Sequence, residues 1–243
     1  MTDLLYLSRA RIRAARGEAL SAIAPLLVPD EKTQRPGHAH RILWLLFQEI
    51  PDAERDFLWR DDGNGKYMIL SRRPPVDPLG LFALDTTAFE PTLAAGDRLA
   101  FVLRANPVVT TKRAGVKRVG GNGKARGTRV DIVIDALHRE NIPAGSRGPH
   151  RDRVAAKAGV AWLEAQGDRA GFKIVRNEPE PVIGGYTQIP IERRHGRRPA
   201  GFSVLDFAGQ IEITEPAAFL SKLAKGFGAA KAFGNGLMLI RRA

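Results

Sequence analysis

The chain changes hydrophobic period repeatedly along its length. Leu5, Leu7 and Arg9 interleave with Tyr6, Ser8 and Ala10, a period of two that predicts a first strand. Beyond Pro36 and Gly37, apolar Ile42, Leu43, Leu46, Phe47 and Ile50 recur at three and four. That spacing predicts an amphipathic helix over 38–50, ended by Pro51. Residues 57–60 and 66–71 flank Asp61-Asp-Gly-Asn-Gly65, the signature of a hairpin. Pro74, Pro75 and Pro78 interrupt the next stretch; a short helix is expected over 88–95 and a strand over 98–103. Strand, helix, hairpin, helix, strand is the βαββαβ order of a ferredoxin-like unit.

The second half repeats the order. Residues 130–134 read as strand-like, and 152–166 as a helix with Val154, Ala158, Ala161, Trp162 and Ala165 on one side. Residues 172–175 follow Gly171 as a strand, and 202–213 carry two alternating runs about Ala208-Gly209. Thr214 can cap a helix with Glu215 and Pro216 in its first turn and Gly226 at its C-cap; residues 237–240 close the unit. The expected class is α+β, two tandem ferredoxin-like (βαββαβ) domains over 1–103 and 104–243.

Composition adds a partner. With 44% apolar residues among 243 the chain can bury a proper core, and a net charge of +12 is the footprint of phosphate binding. The charge is clustered. Arg104, Lys112, Arg113, Lys117, Arg118, Lys124, Arg126 and Arg129 span 104–129 without one Asp or Glu. A solvated face mixes signs, so this segment reads as a basic hairpin or loop laid along phosphates, with Gly120-Gly-Asn-Gly123 at its tip. A smaller cluster, Arg193-Arg-His-Gly-Arg-Arg198, reads as a loop that either touches the ligand or is merely solvated. Aromatics are only 7%, which favours a structured RNA read by charge and shape over splayed bases stacked on a sheet. Gly226, Gly228, Gly234 and Gly236, with Lys231 among them, suggest backbone that comes close to a polyanion.

Absences narrow the chemistry. The chain has no cysteine, hence no disulfide, thiolate nucleophile or zinc–cysteine site. No run reaches the roughly 18 apolar residues of a membrane span, and the opening segment is strand-like rather than a signal peptide. A soluble, cytoplasmic protein without a membrane partner is expected. Of the five histidines, His38 and His40 could form a ligand pair but lack a third partner at metal-like spacing, so neither metal nor cofactor is expected. His40 opens the amphipathic helix with Arg41 beside it, and neighbouring cations would favour its neutral, base-competent form.

Several blocks together carry a family resemblance. They are Leu5-Tyr-Leu-Ser-Arg9, His40-Arg-Ile-Leu-Trp-Leu-Leu-Phe47, Arg55-Asp-Phe-Leu58, Leu103-Arg-Ala-Asn-Pro107, Ala161-Trp-Leu163, Phe207-Ala-Gly209 and the closing stretch 226–239. In that order they resemble the CasE family, the CRISPR RNA endoribonucleases of type I-E systems. The resemblance implies two ferredoxin-like domains and a metal-independent cut at the 3′ side of a repeat stem-loop. It also implies retention on the product within the Cascade complex, so the partners implied are CRISPR RNA and other Cascade subunits. The family histidine falls on His40, which would move protons as the ribose 2′-OH attacks the adjacent phosphate. Arg41 is the nearest candidate to stabilise the charge that develops. Residues 104–129 would face the RNA stem, and the loop 226–236 with Lys231 would contact the backbone near the cut. Family members often carry tyrosine three residues before the histidine, where this chain has Gly37. Either His38 substitutes, another basic group does, or turnover is slow. The alternative is a non-catalytic RNA-hairpin-binding subunit of a ribonucleoprotein; a basic protein for DNA or ribosomal RNA is a third reading.

Overall fold

The structure, a computed structural model, describes residues 4–13, 35–48, 55–111, 118–119, 125–126, 128–176, 181–191 and 200–243. The first sheet holds β1 (Leu5–Ile12), β2 (Phe57–Gly63), β3 (Lys66–Ser71) and β4 (Phe82–Phe89) in the order β2-β3-β1-β4. Each neighbouring pair is antiparallel. Helix α1 (Arg35–Trp44) joins β1 to β2 and tightens into a 3₁₀ turn at Leu45–Phe47. This is the ferredoxin-like strand order with one of its two helices. Where the second would lie, a proline-rich connection runs instead, and Asp77 fixes its end by accepting from the N–H groups of Leu81 and Phe82 at 3.1 and 2.7 Å.

The second sheet repeats the order. Strands β10 (Phe172–Ile174), β12 (Ala200–Ile213), β5 (Arg98–Ala105) and β13 (Met238–Arg242) lie side by side, with β11 (Val182–Ile191) continuing the β10 edge along β12. Helices α2 (Ile132–Arg139) and α3 (Arg151–Ala170) join β5 to β10, and α4 (Pro216–Lys225) joins β12 to β13. Between β5 and α2, β6 (Val108–Thr111) pairs with β9 (Thr128–Asp131), and β7 (Arg118–Val119) pairs with β8 (Ala125–Arg126). The described parts of the basic segment therefore pair as antiparallel strands, the hairpin of the two expected forms. Two ferredoxin-like units make up the fold.

Three expected elements differ. The helix over 88–95 is absent: β4 runs to Phe89 as the partner of β1, and Pro91 follows it. The strand over 98–103 does not close the first sheet but opens the second, pairing with β12 and β13. The chain crosses between sheets before residue 98, so the expected join at 103/104 falls inside β5. Residues 132–134 are helical rather than strand, because the Asp131 side chain caps α2 by accepting from the Ile134 N–H at 2.8 Å. Helix α4 is also entered without the expected threonine cap: Glu215 holds the N-cap position, with no side-chain hydrogen bond.

Two buried clusters hold the units. Under α1, Ile42, Leu43, Leu46 and Phe47 pack on Phe57, Trp59, Tyr67 and Ile69. Each such side chain removed from water contributes about 1.5–3 kcal/mol. Strand β2 is buried on both faces: Leu58 points away from α1 and joins Leu5 and Leu70 in the cluster of the second sheet, with Leu99, Leu103 and Phe207. One core thus continues from sheet to sheet. No helix among the described residues is long and apolar enough to cross a membrane.

Candidate nucleic-acid interface and active site

His40 sits on the half-buried side of α1. Its Nε2 accepts from the Trp44 indole N–H at 3.1 Å, one turn on, and the two rings meet edge to face at 6.1 Å. An indole only donates, so Nε2 carries the lone pair and the proton resides on Nδ1. Nδ1 is buried with no partner among the described residues. Burial, and then the charge of Arg55, push the imidazole below its usual pKa. His40 is therefore held neutral, as a base requires.

Arg55 lies at the entrance to β2. Beside it, Asp56 pairs with Arg73 at 2.8 Å, and Arg73 reaches the Phe47 carbonyl at 3.0 Å, tying β2 to the end of α1. The Arg55 Nη1 is buried and lacks a partner among the described residues. Leaving a buried donor unmatched costs about 1–3 kcal/mol, more for a charged group. Two unmatched donors, Nη1 of Arg55 and Nδ1 of His40, thus lie near enough for the Arg55 charge to act on the imidazole. An anion is the group that would satisfy them. Arg55 belongs to the Arg55-Asp-Phe-Leu58 block, but sequence alone assigned it no role.

The glycine loop supplies the next cation. A 3₁₀ turn at Lys231–Phe233 packs against α1 and β2. Burial comes first in lowering the Lys231 ammonium pKa, followed by the charges of Lys222, Arg55 and Arg129. The loop glycines have protein neighbours. A Cβ at Gly234 would lie 2.8 Å from the Trp59 ring, at Gly226 2.8 Å from Leu58, at Gly228 2.6 Å from the Asn106 carbonyl, and at Gly236 2.5 Å from the Phe227 carbonyl. All four have positive φ. Several loop N–H groups are also spent internally: Ala229 donates to Asn106 O at 2.9 Å and Gly236 to Arg104 O at 2.8 Å. The glycines let the loop fold tightly against β2 and β5, and so carry Lys231 toward α1.

The other expected residues are placed as follows. His38 is two positions from His40 on α1, about 200° around the axis, so the two rings do not face each other. Arg41, one position on, is exposed. Arg104 forms a bidentate pair with Asp206, at 2.8 and 2.7 Å, and its charge is largely matched. Arg129 lines the same cleft as Arg55 and Lys231. The backbones of Arg118 and Arg126 pair between β7 and β8. Lys112, Arg113, Lys117, Lys124 and the cluster at 193–198 lie outside the described residues. Among the described residues no three His, Asp or Glu side chains gather as ligands for a metal ion.

A family model described as CRISPR associated protein matches residues 5–242, nearly the whole chain. The chain belongs to this family. The CasE resemblance is borne out by its relatives. A Cascade subunit CasE of Escherichia coli K12 is 27% identical over 205 residues, covering 82% of this chain and 88% of that protein. The CRISPR-associated endoribonuclease Cse3 of Thermus thermophilus is 29% identical over 158 residues, covering 63% of this chain and 59% of that protein. Among solved structures, T. thermophilus Cse3 bound to an RNA representing a pre-cleavage complex superposes with a TM-score of 0.64, at 22% identity and 98% coverage of both chains. Cas6e of E. coli K12 gives 0.58 at 21% identity, covering 98% of this chain and all of that one. These likenesses carry the two-unit fold of the CRISPR-associated family.

Proposed function

We propose that this CRISPR-associated protein is a metal-independent endoribonuclease that cuts repeat stem-loops in precursor CRISPR RNA. One observation carries the reading: a histidine held neutral beside a buried, unmatched arginine and a half-buried lysine. The names of the relatives, an endoribonuclease and a Cascade subunit, agree with it.

The nucleophile belongs to the RNA. The 2′-OH attacks the adjacent phosphorus, the O2′–P bond forms, and His40 takes the hydroxyl proton. The P–O5′ bond then breaks, leaving a 2′,3′-cyclic phosphate, and the departing 5′-oxygen takes a proton from water to leave as a hydroxyl. The Nε2 lone pair rests on the Trp44 N–H, so RNA binding must exchange that donor for the 2′-OH. Arg55 and Lys231 would hold the non-bridging oxygens, where negative charge grows in the transition state. Arg41, on the exposed side of α1, would meet the RNA outside the reacting phosphate. After the cut the protein stays on the hairpin as a Cascade subunit.

Replacing His40 with Ala should lower single-turnover cleavage of the host's repeat hairpin about 10²–10⁴-fold with binding largely kept. Equal rates for variant and parent would remove His40 from the chemistry. Cleavage should persist with chelator present and stop when a 2′-deoxy residue lies 5′ to the cut. A second reading, a hairpin-binding subunit without catalysis, is favoured by Gly37 in place of the family tyrosine. It predicts tight binding and no product even at stoichiometric protein.

A further inference from the structure

A cleft of about 1280 Å³ opens between α2, α3 and the glycine loop, and its lining runs from Arg55 and Lys231 to Lys157 and Arg169 of α3. Its floor is apolar, with Val154, Ala158, Ala161 and Trp162 of α3, and its rim is cationic. The acidic groups on that rim are matched: Asp135 pairs with Arg139 at 2.7 Å and Glu140 with Arg153 at 2.6 Å. The cations form a file. Arg169 acts on Lys222, Lys222 on Lys231, Arg55 on Lys231, and Arg55 on His40, each by its charge. Burial and this mutual repulsion hold both Lys222 and Lys231 below the usual lysine range. Such a file repels itself when empty and is relieved by a string of phosphates.

We infer that this cleft is a track for single-stranded RNA, which takes the 3′ flank of the repeat as it runs on past the cut. The inference rests on the proposed cleavage at His40, because the strand that crosses His40 is the one that continues into the cleft. Size favours one strand over a duplex: the cleft has room for a few nucleotides. An apolar floor under a cationic rim also suits a strand, with bases turned down and phosphates turned to the edge. Lys157 and Arg169 are exposed on α3 and line the cleft away from the reacting phosphate.

The test uses the full chain and repeat hairpins made uncleavable by a 2′-deoxy residue at the cut, so binding is read whether or not catalysis occurs. One RNA ends just past the cut, one carries about ten unpaired nucleotides on the 3′ side, and one carries them on the 5′ side. The parent should bind the 3′-extended RNA about tenfold more tightly than the blunt hairpin, with a salt dependence steeper by about two. Lys157→Gln combined with Arg169→Gln should remove that gain and leave the blunt hairpin unaffected; Lys157→Gln alone should remove part of it. No gain from the 3′ flank, a gain from the 5′ flank only, or equal loss on blunt and extended RNA would each overturn the track. Failure of the endonuclease reading would appear separately, as an uncut all-ribose hairpin.

Discussion

Replacing Gly234 with alanine should unseat the loop that brings Lys231 to His40. The new Cβ would stand 2.8 Å from Cζ3 and 3.0 Å from Cη2 of Trp59, whose ring is 1% exposed and cannot swing aside. Gly234 also has φ of 76°, a left-handed conformation that costs a residue with a Cβ about 1–2 kcal/mol. Overpacking a rigid core neighbour adds about 1–3 kcal/mol. The sum, ~2–5 kcal/mol, is well above the effect of an ordinary surface change. Equilibrium urea unfolding would read it as a midpoint lowered by about 0.7–2.5 M, for a slope near 2–3 kcal/mol per molar. Cleavage measured where the variant is still folded should also fall, because the 3₁₀ turn at Lys231–Phe233 would move off α1. Gly37→Ala is the control: no atom lies within 4 Å of its Cβ, its φ is not positive, and a helical alanine gains up to about 1 kcal/mol. If Gly234→Ala stays within about 0.5 kcal/mol of the parent, the account of the loop is wrong.

Gly37→Tyr fills open space on α1 with the phenol the family often carries there, and should raise the single-turnover rate about tenfold or more; an unchanged rate would mean another group already does that work. Arg55→Gln removes the smaller of the two influences that depress His40, burial being the larger. The acidic limb of the pH–rate profile should therefore move upward, toward but not reaching 6.5, while the rate at its plateau falls; a limb that stays in place would separate Arg55 from His40. Trp44→Phe keeps an aromatic ring against Phe57 but takes away the indole N–H that donates to Nε2. The His40 pKa should rise, since Nε2 can then accept a proton freely, and an NMR titration of the imidazole reads it directly. Asp206→Asn frees Arg104 from an exposed pair, so stability should change by less than about 1 kcal/mol while RNA affinity rises.

Much of the fold could be read from periodicity. The alternation in β1 and in the β2–β3 hairpin, and the three-four spacing of α1, each specify which face is buried, and burial then decides the local conformation. What a period of two cannot specify is the neighbour. Strand β5 reads as a strand from either side, and only pairing with β12 and β13 assigns it to the second sheet. At Ile132-Val-Ile134 a β-branched run outweighed a visible helix signal, the capping Asp131. In the site, His40 and Lys231 were legible as residue types in suggestive places, whereas Arg55 was not. Its significance comes from being buried unmatched beside a histidine, which depends on how α1 and β2 pack. The four glycines read in the sequence as room for a polyanion, whereas in the structure the atoms close to them include Leu58, Trp59 and the Asn106 carbonyl.

The core that passes unbroken from Leu58 and Leu70 to Leu103 and Phe207 has a further consequence. Among the described residues, shared apolar side chains join the two units, and such close packing resists hinging there. The spacing between the helix that bears His40 and the turn that bears Lys231 is consequently set before any RNA arrives. In the proposed reaction the protein would act as a template, and an RNA that fits would do so by presenting the right phosphate at a fixed point. A cut strand would then have to leave without the two units parting along this shared core, which would slow departure of the product. Heating should abolish both sheets in one transition, and with them the packing of the turn that bears Lys231 on the helix that bears His40.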